Sequence, residues 1–168
     1  MFELNLMLAE ARSLDSSPLG EAQLKGQCST TLECQSRLAI GGIDQIEVSV
    51  QMLDAPAMQS LNNTYRNKDS ATNVLSFESG LPVLNDNESL QLLVLGDLVF
   101  CPDIIAREAR QQGKSEAQHW AHMVVHGTLH LCGYDHLEPA DATEMENLEI
   151  QILSGMGIPN PYQIQSVQ

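Results

Sequence analysis

The stretch "TNVLSFESGLPVLNDNESLQLLVLGDLVF", residues 72–100, holds two β-rich runs, 72–78 and 90–100, and between them a segment whose Gly, Pro, Asn and Asp mark an acidic loop. A loop of this kind joins neighbouring strands, whereas a parallel crossover needs a longer connection that is usually a helix. The chain therefore builds at least part of its sheet from adjacent strands. Working upstream, "IEVSVQM" (46–52) and "FELNLML" (2–8) alternate apolar and polar residues with the period of half-buried strands. Between the strands lie helical patterns. "DAPAMQSLNNTYRN" is a short helix capped by Asp54, and residues 16–42 form a helix with Ser17 as N-cap, Pro18 as first residue and Gly41-Gly42 as stop, weakened at Gly26 and Thr30-Thr31. Downstream, "CPDIIAREARQQGK" is helical to Gly113, Ser115 and Gln118 form a capping box that opens a helix to about Leu131, and a last helix runs from Pro139 to near Gly155 on a stripe of Met145, Leu148 and Ile152. The expected fold is α+β, a single layered domain with a small mixed β-sheet and packed helices. Residues 1–156 form one catalytic domain, and 157–168 a C-terminal tail that is extended from Gly157.

A chain of 168 residues can bury roughly 70% of its unfolded surface, enough for a core without staples. It has no run approaching the roughly 20 apolar residues that cross a bilayer, and its first residues lack the basic start and cleavage site of a signal peptide. Those features imply a cytoplasmic protein without membrane contact. Four cysteines with no C-x-x-C pair suit reduced thiols, and Cys132 reads as a small buried apolar group. The net charge of −14 repels free nucleic acid, yet five of the eight Lys and Arg fall between residues 66 and 114. Arg107, Arg110 and Lys114 share a helical 3,4 spacing and therefore one face. Together with Lys68 they are candidate RNA contacts on an otherwise acidic surface, or ordinary solvated charges.

The chemistry concentrates in "HGTLHLCGYDH", residues 126–136. His126 and His130 are one helical turn apart and point the same way, and Gly133 turns the chain so that His136 closes a third corner. The pattern is the metzincin-like H-x-x-x-H-x-x-G-x-x-H metal helix. Three imidazoles leave one zinc ion per chain an open position, the arrangement of a catalytic site rather than a closed structural one. The zinc proteases place a glutamate general base directly after the first histidine, and here that place is Gly127. A carboxylate there would repel a phosphodiester, so glycine leans the reading toward phosphoryl chemistry and leaves room at the metal. Gly127 also costs about 1 kcal/mol in a helix relative to alanine, so a close approach by something else is expected. His122, one turn behind His126, supports the clamp, touches substrate, or has no metal role, the last being the simplest reading. Asp135 either orients a ligand or relays a proton, or is a turn residue after Gly133.

On these residues the chain resembles the YbeY family of bacterial rRNA-maturation endoribonucleases. The clamp from His126 to His136 carries the resemblance, with "LNNTYRNKDSATNVLSF" (61–77), "LGDLVF" (95–100) and "HWAHMVVHG" (119–127) in the right order. The resemblance implies a zinc-dependent, single-strand-specific endoribonuclease acting in 16S rRNA 3′-end maturation and ribosome quality control. It puts the zinc ligands on His126, His130 and His136 and the arginine of the Y-R block on Arg66, expected to stabilise charge on the phosphate. Where many members have Asp before V-L-S-F this chain has Asn73, which receives no acid–base role. The acidic charge fits a family whose members meet single-stranded rRNA on the small ribosomal subunit, beside ribosomal or ribosome-assembly proteins. Two other readings compete: a zinc metalloprotease-like hydrolase that finds another base, and a non-catalytic zinc-stabilised ribosome-assembly factor.

Overall fold

A computed structural model describes residues 1–9, 17–84 and 91–163. The elements run β1 (Glu3–Leu8), α1 (Glu21–Cys34), β2 (Gln45–Met52), α2 (Ala55–Arg66), β3 (Val74–Leu84), β4 (Gln91–Phe100), α3 (Pro102–Gln112), α4 (Glu116–Leu131) and α5 (Pro139–Gly155). The four strands form one mixed sheet in the order β1-β2-β4-β3. β1, β2 and β4 are parallel, and β3 pairs antiparallel to β4 at the edge. This is the α+β layered arrangement expected from the sequence.

Local chemistry sets the boundaries. Asp54 caps α2, its Oδ1 accepting from Ala57 N at 2.9 Å, and Asn67 ends that helix in the left-handed region at φ 55°. Ser115 Oγ accepts from Gln118 N at 3.1 Å and the Gln118 side chain returns to Ser115 N, so the capping box forms in full. α1 is shorter than the sequence suggests at both ends. Ser17 spends its hydroxyl on Leu19 N within a turn and Gly20 becomes the N-cap. At the other end, the Gln35 side chain donates to Leu32 O and Leu38 O and accepts from Leu38 N, replacing helical bonds with local ones. Its middle is unbroken, because buried Thr31 returns its hydroxyl to Gln27 O at 2.8 Å.

The expected loop at 79–89 also needs correction. β3 continues through the first part of it, pairing as far as Leu84 with Gln91, with a register shift between Glu78 and Leu81. Gly80 and Pro82 suggest a loop but are tolerated here, since a bulge absorbs the glycine and an edge strand can spare the proline's missing donor. Residues 85–89 of that loop, Leu90 of the second run and the tail beyond residue 163 lie outside the described residues.

α4 is the hub of the domain. From His119 to Leu131 it is buried nearly all round, against the sheet on one side and α1, α3 and α5 on others. Trp120 packs its ring on Phe100 at a centroid distance of 5.3 Å, and Leu24, Leu32, Ile46, Val48, Leu98, Val124 and Leu129 are fully enclosed around it. Each such side chain contributes about 1.5–3 kcal/mol by leaving water. His126 and His130 thus sit on a firmly anchored helix. Among the described residues no helix is long and apolar enough to cross a membrane.

Candidate metal centre and its cleft

His126 and His130 project from the last two turns of α4 with their Nε2 atoms 3.1 Å apart. After α4, Gly133 takes φ 92°, a conformation side chains rarely adopt, and the chain doubles back. The His136 ring then lies 5.6 Å from that of His126 and 5.1 Å from that of His130. One ring nitrogen from each lies within 4.8 Å of the other two, so the three can hold a metal ion. Tetrahedral ligands bonded at 2.0–2.1 Å are separated by about 3.3 Å, close to the spacing of the first pair. Burial, together with the neighbouring His126 and His136, pulls His130 down to about 4. At neutral pH its ring is therefore unprotonated, the form that ligates.

The turn between the second and third histidines is braced from α1's exit. Arg37 donates to the Gly133 carbonyl at 3.0 Å and to Glu144 at 2.6 Å, while its guanidinium lies 4.5 Å over the Tyr134 ring. Tyr134 in turn accepts from Ser36 N. Cys132 beside the clamp is a buried thiol pushed up to about 12 by burial, and it is not among the side chains gathered with the three histidines.

Behind the clamp sits a group that the sequence reading did not find. Glu149, on α5, is 0% exposed. Its Oε1 lies 2.5 Å from His126 Nδ1, and its Oε2 takes the Tyr162 hydroxyl and faces His122 Nε2 at 3.3 Å. Burial alone would raise this carboxyl, but the bonds from His122 and His126 outweigh it and hold it down at about 2. His122, His126 and Glu149 could be taken for a second metal group. The 2.5 Å between Nδ1 and Oε1 is instead a hydrogen-bond separation, shorter than the about 3.3 Å of atoms sharing one ion.

The clamp opens into a cleft of about 730 Å³, bordered by Asn73 and by Val74–Ser76 of β3, the end of α2, and α5. Arg66 and Lys68 line it, as do Asp135 and Glu146. Arg66 is exposed at the C-terminus of α2, with Nη2 donating to the Ser76 carbonyl at 3.0 Å. Among the described residues its other four donors have no partner. Asp135 accepts from Leu137 N at 3.1 Å, a turn contact. Asn73 bonds Glu108 and its own neighbour Val74 N.

Other candidates fall elsewhere. Arg107 and Arg110 are exposed on α3 and do not line the cleft. Lys114 is half-buried, and one donor of its ammonium goes to the Pro161 carbonyl at 2.8 Å. His122 is buried and does not reach the cleft. Gly127 faces the sheet and does not clear room at the metal. A Cβ there would meet Leu98 Cδ2 at 3.0 Å and Val74 Cγ2 at 3.2 Å, so the glycine admits the sheet rather than a substrate. The Gly127 carbonyl accepts from Ser76 Oγ at 3.0 Å, sealing that contact.

Comparison with known proteins bears on this arrangement. Residues 14–157 match the family described as Endoribonuclease YbeY. Proteins of that name from Pseudomonas putida strains W619 and F1 are 43% and 42% identical to this chain over 162 residues, which is 96% of this chain and 94% of each of theirs. A solution structure of a protein from Thermotoga maritima aligns over 100% of both chains with a TM-score of 0.51 at 20% identity, a likeness of fold alone.

Proposed function

Since the chain belongs to the endoribonuclease YbeY family, we propose that it cuts single-stranded rRNA at one zinc ion held by His126, His130 and His136. Membership makes it an endoribonuclease, a hydrolase acting on RNA, with a role in rRNA maturation. The finer reading is cleavage near the 3′ end of 16S rRNA and a part in ribosome quality control, in the cytoplasm, on a small subunit whose proteins offset the charge of −14.

The observation that carries this reading is that the three-imidazole clamp opens into the same cleft as Arg66. His126, His130 and His136 would hold the zinc ion, which would supply Lewis acidity toward water and phosphate. Arg66 presents a planar fork to the non-bridging phosphate oxygens, and its bond to the Ser76 carbonyl fixes that fork in place beforehand. Lys68 adds charge along the strand's path. A protease would need a carboxylate beside the first histidine, and Gly127 is shut against Leu98 and Val74.

The purified, zinc-loaded protein is incubated with single-stranded RNA, duplex RNA and casein, each with and without chelator. Cleavage of single-stranded RNA alone, abolished by chelator, is expected. Casein cleavage would favour the protease, and a zinc-loaded protein inert on every substrate would favour the assembly factor.

A further inference from the structure

We propose that Glu149, secured by Tyr162 and His122, is the positioning residue that fixes the tautomer of His126 and thereby the affinity of the clamp for its ion. The proposal rests on the reading that His126 is a ligand. It adds the C-terminal segment around residue 162 to the metal centre.

A neutral imidazole carries one proton on one of two nitrogens, and only the other can bind a metal. The Tyr162 hydroxyl and His122 Nε2 both converge on Glu149 Oε2, which leaves Oε1 as the acceptor 2.5 Å from His126 Nδ1, and Nδ1 donates to it. Nε2 is then left with its lone pair, and Nε2 is the atom that faces His130 Nε2 at 3.1 Å. With the opposite tautomer, an N–H would point into the clamp while Glu149 and Nδ1 opposed each other as two acceptors.

A fully buried carboxylate is retained only where donors surround it. Three do so here. His126 reaches Oε1, while Tyr162 donates to Oε2 and His122 Nε2 lies 3.3 Å from both Oε2 and the Tyr162 oxygen. His122 comes from α4 itself, whereas Tyr162 comes from beyond α5. That segment is tied down independently, by Lys114 Nζ on the Pro161 carbonyl at 2.8 Å and by Asn160 Oδ1 accepting from Tyr162 N at 2.9 Å. Tyr162 itself is 43% exposed, so the fold gains little from its ring and its hydroxyl is the informative part.

Zinc affinity is measured by chelator competition for the parent, Glu149→Gln, Tyr162→Phe and His126→Ala, with folding checked by circular dichroism. The tautomer of His126 is read by ¹⁵N NMR in the metal-free parent and Glu149→Gln proteins. Glu149→Gln should weaken zinc binding about 10- to 100-fold, with Tyr162→Phe near the lower end. The parent should show Nδ1–H at His126, and Glu149→Gln should shift the population toward Nε2–H, which a merely structural residue would not do. Zinc affinity within twofold of the parent in folded Glu149→Gln and Tyr162→Phe, or an Nε2–H tautomer in the parent, overturns the proposal. Zinc kept at full affinity by His126→Ala would instead overturn the ligand assignment on which it stands.

Discussion

Gly127→Ala distinguishes two reasons for a glycine inside the metal helix. If it only cleared space at the metal, alanine would stabilise the chain by about 1 kcal/mol through helix propensity. For a domain of this size that raises Tm by about 2–4 °C. The structure puts the new methyl 3.0 Å from Leu98 Cδ2, 3.2 Å from Val74 Cγ2 and 3.4 Å from Ser76 Oγ. Leu98 is fully buried, so its methyl can give way only against packed neighbours. Overpacking of this kind costs about 1–3 kcal/mol, and any retreat of β3 also strains the Ser76 bond to the Gly127 carbonyl, worth about 1 kcal/mol. The balance is a net loss of about 1 kcal/mol, and Tm should fall by about 2–4 °C. The assay is thermal unfolding of the metal-free protein, since a bound ion would add its own stabilisation. A Tm that rises by the full propensity gain would refute the packing argument.

Three further outcomes are expected. Arg66→Ala should keep its metal and its Tm within a few degrees while RNA cleavage falls roughly 100- to 1,000-fold, and Arg66→Lys should recover only part of it; near-parental cleavage by a folded, loaded Arg66→Ala protein removes the residue from the mechanism. His130→Ala should lose its zinc, as elemental analysis would show, and full occupancy would reject the ligand set. Burial holds His122 and His130 below the ordinary value of 6.5, His130 at about 4. Between pH 6.5 and 4 the unfolded chain takes up protons that the folded chain refuses, so the metal-free protein loses stability on acidification; the parent's Tm should fall more across that window than that of His130→Gln, and equal slopes would contradict the burial argument.

The clamp was legible because its three histidines lie within eleven consecutive residues and the spacing of the first two obeys helix geometry. Caps at Asp54 and Ser115 were legible for the same local reason. Glu149 was not, because its partner His126 is 23 positions away. A signal did exist. Met145, Glu149 and Ile152 are the i, i+4 and i+7 positions of one buried face of α5, and an acidic residue on such a stripe asks for buried donors. The stripe drawn through Leu148 instead hid it. β3's extension to Leu84 was missed because Gly and Pro weigh against a strand until its place at the sheet edge is known.

That edge has a further consequence. A border strand offers unpaired amides and carbonyls to any extended polypeptide that drifts alongside, the route by which sheets recruit foreign chains and aggregate. β3 blunts the offer with the irregularity after Glu78, with Pro82, and with the Arg66 guanidinium already seated on the Ser76 carbonyl beside the cleft. An incoming peptide must displace that arginine to continue the sheet. A polynucleotide has no backbone amides to pair, and its phosphates are opposite in charge to the same guanidinium.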